Sequence, residues 1–381
     1  MTCVQEPALQ SQVAVPFLDL RTVHDDLAAE ILGDIAGLIE TNAFANGPAV
    51  AEFERAFAGY CGAEHCVGLS SGLDALRLGL IAAGLETGDR VIVPAHTFIA
   101  SFEAIAQAGG VPVPVDVSEQ DYNLDPEAAD AAVDGRTRFL LPVHLYGQLA
   151  DMVALDDIAR RHDLTIVEDA AQAHGASRDG RAAGVTGLAG AFSFYPGKNL
   201  GAMGDAGALL TDSAALADTM RALREHGQTA KYKHELEGWT ARLDTIQALV
   251  LLRKLPLLNG WNEQRRAAAA WYTQALAGVG DLRTPTVPDG SEPVWHLYVV
   301  RTQRRDELAE FLRSRAIGTG VHYPEPPHLV PPYAHLGYGR GSFPVAEALA
   351  QEVLSLPMFP GISEEQVSAV VDSIAAFFRR G

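Results

Sequence analysis

The chain of 381 residues has few cysteines, few lysines and no excess of positive charge. Its cysteines, Cys3, Cys61 and Cys66, are odd in number and have no paired spacing, which argues against a disulfide framework. With 29 Lys and Arg against 48 Asp and Glu, the net charge of −19 offers no basic surface to nucleic acid or to an anionic membrane. A small anionic ligand held by a few local donors is still compatible with this charge.

Long apolar runs are also missing. No stretch has eighteen uninterrupted apolar residues, and the first fifteen residues lack the basic region and long apolar core of a secretory signal. We therefore expect a cytoplasmic protein with no membrane segment. The segment "CGAEHC" could offer Cys61, His65 and Cys66 to zinc, but no second ligand pair follows, so no metal is expected.

What the chain does have is an alternation of short β-rich runs with alanine-rich helical patterns. The predicted strands are 90–95, 111–117, 138–145, 164–170 and 190–195. Helices are predicted between them, at 98–110 and 152–163. This order predicts an α/β fold with a mostly parallel sheet covered on both faces, whose ligands bind beyond the carboxyl ends of the strands.

The last third of the chain has a different pattern. A long helical pattern at 242–276 bends around Pro256, and a strand (294–302), a helix (305–317) and a closing helix (362–380) follow. Ser363 and Gln366 form a capping box at the start of the closing helix. The proline-rich stretch 322–333 predicts a rigid loop. We predict a large domain over 1–250 and a small C-terminal domain over 251–381.

Three stretches carry candidate functional residues at the ends of predicted strands. In "LSSGLDAL" a helix opens at Gly72 and offers free N–H groups to a phosphate, although the same sequence is also an ordinary helix cap. "VEDAAQAHGA" ends an apolar strand with Glu168 and Asp169, for which a paired core carboxylate is the alternative.

The third stretch, "SFYPGKNLGAMGDAG", contains Lys198, one of only four lysines in the chain. A lysine amine in a desolvated, glycine-lined site can form a Schiff base with an aldehyde, which is how proteins tether pyridoxal phosphate. A phosphate cradle, a carboxylate for the pyridine nitrogen and a lysine, each at a strand end, together favour this cofactor.

These stretches, with further motifs, resemble the fold-type-I pyridoxal-phosphate sugar aminotransferases of the DegT/StrS group. The likeness runs from residue 15 to 367 and includes "GDRVIVPAHTFIAS", "DYNLDP", "PVHLYGQ", "RLDTIQA", "HYPEPPHL" and "SLPMFP". It implies a mostly parallel seven-stranded-type sheet flanked by helices, with a smaller C-terminal α+β domain. It also implies a homodimer in which the partner chain completes each site at the phosphate.

The resemblance implies a role for each matching residue. Lys198 would form the Schiff base and shuttle protons, and Asp169 would pair with the pyridinium nitrogen. The other implied cofactor contacts are Gln172 near the phenolic oxygen, Phe98 on the ring face, and Gly72, Leu73 and Ser193 at the phosphate.

Three positions depart from the pattern of the group. Leu73 stands where threonine is common, so that a side-chain hydroxyl for the phosphate is missing. Thr240, which we include among the cofactor-binding candidates, stands where asparagine usually precedes "RLD", and Ala206 turns "GDGG" into "GDAG". These changes leave Lys198 and Asp169 in place, and we expect them to affect the affinity for the cofactor.

The substrate is a finer question. Enzymes that aminate carbon 4 more often carry histidine three residues before the lysine, where this chain has Tyr195. The resemblance therefore favours transfer from L-glutamate, through pyridoxamine phosphate, to carbon 3 of a dTDP-linked 3-keto-6-deoxyhexose, on a path to antibiotic sugars. Tyr195, His322 and Tyr323 are candidate substrate contacts, with packing as the alternative for the last two.

Several alternatives stay open at this point. A carbon-4 nucleotide-sugar or a cyclitol aminotransferase would share the same motifs. A sugar 3-dehydratase would carry histidine in place of Lys198, and a lyase acting on amino acids would need an arginine that we do not identify. A non-catalytic sensor or scaffold on the same fold would account for Leu73 and Thr240.

Overall fold

The structure, a computed structural model, describes residues 14–380, so that Cys3 and most of the first fifteen residues lie outside it. The strands are β1 (His65–Leu69), β2 (Arg90–Pro94), β3 (Val111–Val115), β4 (Thr137–Leu140), β5 (Thr165–Asp169), β6 (Ser177–Arg178), β7 (Arg181–Ala182), β8 (Ala189–Ser193), β9 (Gly207–Thr211), β10 (Gln228–Ala230), β11 (Lys233–His234), β12 (Ser291–Glu292), β13 (Tyr298–Arg301) and β14 (Val353–Leu356). The helices are α1 (Ala28–Thr41), α2 (Pro48–Cys61), α3 (Gly72–Ala82), α4 (Ile99–Gln107), α5 (Pro126–Ala131), α6 (Met152–His162), α7 (Ala214–Leu223), α8 (Thr245–Lys254), α9 (Leu258–Leu276), α10 (Arg305–Arg313), α11 (Pro344–Glu352) and α12 (Glu364–Arg380).

The central sheet has seven strands in the order β1-β9-β8-β5-β4-β2-β3. Strands β2, β3, β4, β5 and β8 pair in parallel, which confirms the predicted mostly parallel sheet. Strand β9, which the sequence analysis did not predict, runs antiparallel to both β8 and β1. The predicted strand 138–145 is too long: β4 ends at Leu140, and Pro142, which lacks an N–H donor, follows.

Helices cover both faces of this sheet because its central strands are apolar on both sides. Val91 and Val93 of β2 pack in the same core as Leu76 of α3 and Phe102 of α4. Ile92 points the other way and packs in a second core with Leu155 of α6. Side chains alternate between the faces of a strand, so β2 contributes to both cores.

The C-terminal part has a core of its own, built mainly from α9, α10, α12 and the antiparallel pair β13–β14. Val15 joins this core and bridges to Ile317. Pro256 lies in the 3₁₀ turn between α8 and α9, where the sequence predicts the bend. The predicted domain boundary at 250 falls inside α8 and stays a prediction.

The predicted capping box is present at the start of α12. The Gln366 N–H donates to Ser363 Oγ (3.1 Å), and the Ser363 N–H donates to Gln366 Oε1 (3.0 Å). The proline-rich stretch after residue 322 forms short 3₁₀ turns at Pro327–Leu329 and Pro331–Leu336. Both segments therefore have the local structure that their residue types dictate.

Candidate active site

A cavity of about 410 Å³ opens at the carboxyl ends of β1, β5 and β8. The predicted site residues that line it are Gly72, Leu73, Phe98, Asp169, Gln172, Ser193, Tyr195, Lys198, His322 and Tyr323. Lining residues that the sequence analysis missed include Phe17, Thr97, Asp205, His296 and Met358. Strand ends far apart in the chain thus meet in one place, as parallel strands require.

Lys198 lies in the turn that follows β8. Two backbone hydrogen bonds close this turn, from Lys198 N–H to the Tyr195 carbonyl (2.8 Å) and from Ala202 N–H to the Phe194 carbonyl (2.8 Å). Burial lowers the pKa of Lys198 to about 8, while the Asp169 carboxylate acts in the opposite direction. A substantial fraction of the amine is therefore unprotonated and nucleophilic in mildly alkaline solution.

The two neighbouring acids at the end of β5 have opposite surroundings, because adjacent side chains of a strand point to opposite faces. Glu168 is fully buried and bonded to His144 Nε2 (2.7 Å) and to the backbone N–H groups of Gly184 (2.9 Å), Thr186 (2.7 Å) and Gly187 (2.7 Å). Burial raises the pKa of Glu168, but the bonds from His144 and these amides outweigh it and hold the pKa below its usual value. Glu168 is the paired core carboxylate that the sequence analysis left as an alternative.

Asp169 faces the cavity instead. Ser101 Oγ donates to its Oδ2 (2.9 Å) and the Ala171 N–H approaches its Oδ1 (3.2 Å). Among residues 14–380 it has no ion-pair partner in direct contact, and burial raises its pKa. A buried carboxylate without a cation is costly, so the residue suits a cationic N–H group supplied by a ligand.

Ser101 has no role in the sequence analysis, although it lies three residues after Phe98 in "HTFIAS". It sits on the first turn of α4, and its hydroxyl is also 2.9 Å from Thr97 Oγ1. The spacing of three residues on a helix turn is the signal that would have placed it beside the cavity.

The amino end of α3 forms another part of the cavity wall. Ser71 caps the helix through the Asp74 N–H (3.1 Å), while the N–H groups of Gly72 and Leu73 donate to no protein acceptor in the described chain. A Cβ on Gly72 would lie 2.7 Å from Ser193 Cβ, so glycine is required for the close approach of these two segments. Free N–H groups at a helix start make an anion site.

Aromatic side chains and one amide line the middle of the cavity. The Phe98 side chain is 51% exposed, and its ring lies 5.3 Å from the Tyr323 ring between centroids. Gln172 accepts from the Tyr146 N–H (2.7 Å) through Oε1 and donates to the Tyr323 hydroxyl (3.0 Å) through Nε2. These bonds fix the orientation of the Gln172 amide.

The other predicted substrate residues, Tyr195 and His322, also line the cavity. His322 Nδ1 is 2.8 Å from Ser355 Oγ, and its ring stacks on Phe17 at 5.6 Å between centroids. Burial, with a smaller effect of Lys198, lowers the pKa of His322 to about 4. Tyr195 is 58% exposed beside Lys198. Their predicted contacts with substrate stay predictions.

Thr240 is the one predicted site residue that the structure does not bring to this cavity. It is exposed, forms an isolated bridge with Glu225, and has its hydroxyl 3.1 Å from His226 Nε2. A β-bridge thus holds Thr240 at the surface, away from the cavity of its own chain, and its predicted cofactor contact stays a prediction.

The residues of the cavity fit pyridoxal phosphate. The free amides of Gly72 and Leu73, with Ser193, offer hydrogen-bond donors to a phosphate. The buried Asp169 carboxylate, which has no cationic partner in direct contact, suits a protonated ring nitrogen, and the Lys198 amine is accessible from the cavity. Within the described part of the chain, no three His, Cys, Asp or Glu side chains are grouped to hold a metal ion. No helix in residues 14–380 is long and apolar enough to cross a membrane.

A model of the DegT/DnrJ/EryC1/StrS aminotransferase family matches residues 25–375. The chain belongs to this family. Aminotransferases of the DegT/DnrJ/EryC1/StrS family depend on pyridoxal phosphate, the cofactor that the residues of the cavity fit.

Relatives agree with this placement over nearly the whole chain. The dTDP-3-amino-3,4,6-trideoxy-alpha-D-glucose transaminase of Streptomyces venezuelae is 48% identical over 96% of this chain and 97% of its own length. The crystal structure of S. venezuelae DesV in complex with a ketimine intermediate matches with a TM-score of 0.94 at 48% identity, covering 97% of this chain and 99% of that one. A protein of Geobacillus stearothermophilus named pleiotropic regulatory protein is 46% identical over 96% of this chain and 99% of its own.

Proposed function

We propose that the protein transfers the amino group of L-glutamate to the 3-keto carbon of a dTDP-linked 3-keto-6-deoxyhexose, in deoxyamino-sugar biosynthesis. The observation that carries the proposal is the position of Lys198 in one cavity with the free amides of α3 and the unpaired Asp169. The similarity to the Streptomyces venezuelae transaminase, which is named for a 3-amino sugar product, supports the choice of substrate.

Bound pyridoxal phosphate supplies the aldehyde that takes up the amino group and the ring that delocalises negative charge as a C–H bond breaks. Residues of the chain transfer the protons and bind the charged groups. Lys198 Nζ, with its lowered pKa, accepts the proton from the α-carbon of glutamate and returns a proton to the sugar carbon. Asp169 would stabilise positive charge on the ring nitrogen, and the amides of Gly72 and Leu73 would hold the phosphate.

The chain's own cavity wall is short of positive charge for such anionic substrates. Lys198 is its only lysine or arginine among the described residues. Large apolar side chains are exposed elsewhere, including Leu32 (66%) and Ile39 (60%) one heptad apart on α1. These features support our proposal of a homodimer, in which the partner chain, and with it Thr240, completes each site.

The direct test follows the visible absorbance of the purified protein loaded with pyridoxal phosphate. L-glutamate is expected to bleach the band of the lysine-bound cofactor, and a dTDP-3-keto-6-deoxyhexose is expected to restore it with formation of a 3-amino sugar. Return of the band only with a 4-keto isomer or a cyclitol ketone would replace the proposal by one of those aminotransferases.

A regulatory role without catalysis is the second candidate. The name of the Geobacillus relative favours it, as does the leucine at position 73 in the phosphate cradle. A protein that shows no cofactor band even with added pyridoxal phosphate would support this candidate. A cytoplasmic location stays a proposal that rests on the expected nucleotide-sugar substrate.

A further inference from the structure

His296 is a cavity residue for which neither the sequence motifs nor the proposed chemistry provides a role. It lies between β12 and β13, and its ring lines the cavity together with Leu297 and Met358. The side chain is partly exposed, and the exposure is to the cavity. Its hydrogen bonds decide what it can offer there.

A network of two amides fixes the surroundings of His296. Asn262 Nδ2 donates to the carbonyl of His174 (2.8 Å), which leaves Asn262 Oδ1 as an acceptor. Asn199 Nδ2 donates both to that Oδ1 (2.9 Å) and to the carbonyl of Val294 (2.9 Å). Backbone carbonyls can only accept, so both amide orientations are determined and Asn199 Oδ1 must be an acceptor.

The tautomer of His296 follows from this network. Its Nδ1 lies 3.1 Å from Asn199 Oδ1 and must therefore carry the hydrogen. Burial, and after it the charges of Lys198 and Arg265, holds the pKa of His296 well below its usual value, so the ring is neutral at neutral pH. The remaining nitrogen, Nε2, is an acceptor with no hydrogen-bond partner in residues 14–380.

The network also connects His296 to the reacting lysine, because Asn199 directly follows Lys198 in the chain. One set of hydrogen bonds thus holds the backbone beside Lys198 and the acceptor face of His296. A permanent acceptor in a cavity repels a carboxylate and attracts a hydroxyl. Of the two substrates in the proposed function, the sugar offers free hydroxyls, whereas glutamate offers two carboxylates and an amino group that the cofactor aldehyde takes up.

We propose that His296 Nε2 accepts a hydrogen bond from a ring hydroxyl of the keto-sugar and thereby positions the acceptor substrate beside Lys198. The proposal rests on the proposed function, because it needs a hydroxylated sugar as one substrate. It makes His296 a residue that distinguishes the two half-reactions, since the glutamate half-reaction does not use this bond.

The test compares His296→Leu, which removes the acceptor, with His296→Gln, which keeps an acceptor oxygen. His335→Leu, at an exposed histidine outside the cavity, is the matched control. Calorimetry measures binding of dTDP-6-deoxy-D-glucose, which carries hydroxyls and has no keto group to react, to each protein loaded with pyridoxal phosphate. Single-turnover bleaching by L-glutamate is measured alongside.

We expect His296→Leu to bind the sugar nucleotide about tenfold more weakly, His296→Gln to recover part of the loss, and His335→Leu to match the wild type. Bleaching by glutamate should slow in His296→Leu by no more than about a third of the loss in sugar binding and stay unchanged in His335→Leu, because a general packing defect would affect both measurements equally. Equal sugar-nucleotide binding by wild type and His296→Leu, or an equal loss in sugar-nucleotide binding and in the rate of bleaching, would overturn the inference and leave the proposed function standing. A wild-type protein that binds neither this nucleotide nor any dTDP-keto-sugar would overturn the proposed function, and the inference with it.

Discussion

Two buried lysines of this chain have the same lowered pKa and very different surroundings. Burial lowers the pKa of both Lys198 and Lys254 to about 8. Lys254 is 1% exposed, its Nζ donates to the Gly201 carbonyl (2.7 Å), and it lies 2.8 Å from His24 Nε2. Lys198 Nζ faces a cavity large enough for a cofactor.

The tautomer of His24 shows that the contacts of Lys254 are structural. His24 Nδ1 lies 2.6 Å from the Leu20 carbonyl and therefore carries the hydrogen, so Nε2 accepts from the Lys254 amine. Lys254 thus joins the N-terminal segment to the turn that follows Lys198. A lowered pKa indicates burial in both cases, and access to the cavity is what distinguishes a reactive amine from a structural one.

The largest expected effect comes from removing the amine of Lys198, which should abolish the chemistry that distinguishes it from Lys254. Lys198→Ala should bind pyridoxal phosphate yet lose amine transfer by at least about 1,000-fold, because no other amine lines the cavity in the described chain. Borohydride reduction of the loaded wild type, followed by peptide mass spectrometry, should find the pyridoxyl group on Lys198 and none on Lys254. Turnover by the alanine variant would contradict the assignment.

The acid near Lys198 gives the second test. Asp169→Asn keeps the shape of the side chain and removes its charge, and we expect kcat to fall about 100-fold with the fold intact. Glu168→Gln is the matched variant on the opposite face of β5. It should destabilise the protein by about 3 kcal/mol and leave the cofactor spectrum unchanged, because a neutral amide replaces the charged acceptor of His144 and of three backbone N–H groups and turns its own NH2 group towards donors. If Asp169→Asn destabilised the fold and Glu168→Gln lowered kcat instead, the catalytic and structural roles given to the two acids would be reversed.

A third test uses the pH dependence of stability. Between the folded pKa of Lys254, about 8, and the usual lysine value of 10.5, the unfolded chain binds a proton that the folded chain does not. The free energy of unfolding of the cofactor-free protein should therefore rise with pH across this window. Urea denaturation at pH 8 and pH 10 should show a smaller rise for Lys254→Met and an unchanged rise for Lys231→Met, at an exposed lysine.

The smallest effect concerns the phosphate end of the cavity that holds Lys198. Leu73→Thr adds a hydroxyl beside the free amides of α3, and the dissociation constant for pyridoxal phosphate should fall roughly threefold to tenfold. Fluorescence titration measures it, with Leu188→Thr at a half-exposed site as the control. An unchanged constant would mean that the backbone amides alone determine phosphate binding.

Local sequence patterns predicted much of this site. The pattern of apolar strands ending in polar or glycine residues predicted Gly72, Asp169 and Lys198 at strand ends, and the family resemblance added Ser193. All four residues line one cavity. The strand pattern alone could not separate Glu168 from Asp169, since alternation puts them on opposite faces without saying which face holds the cavity. The family resemblance was what assigned the ring nitrogen to Asp169.

Residues that depend on distant packing were missed. His296 comes from the C-terminal part of the chain, and only the packing of that part against the sheet brings it to Lys198. Strand β9 was not predicted at all, and its antiparallel direction could not have been, because pairing direction depends on which strands meet and not on the residues of one strand.

The close fit around Gly72 has a consequence for how the protein is made. A Cβ on Gly207, at the start of β9, would lie 2.6 Å from Gly72 N, so this late strand presses against the first turn of α3. The phosphate site at the amino end of α3 is thus completed by residues that are synthesised long after the helix that supplies its amides. A nascent chain that has not yet reached β9 would hold a finished helix and an unfinished binding site, and cofactor capture should follow assembly of the sheet.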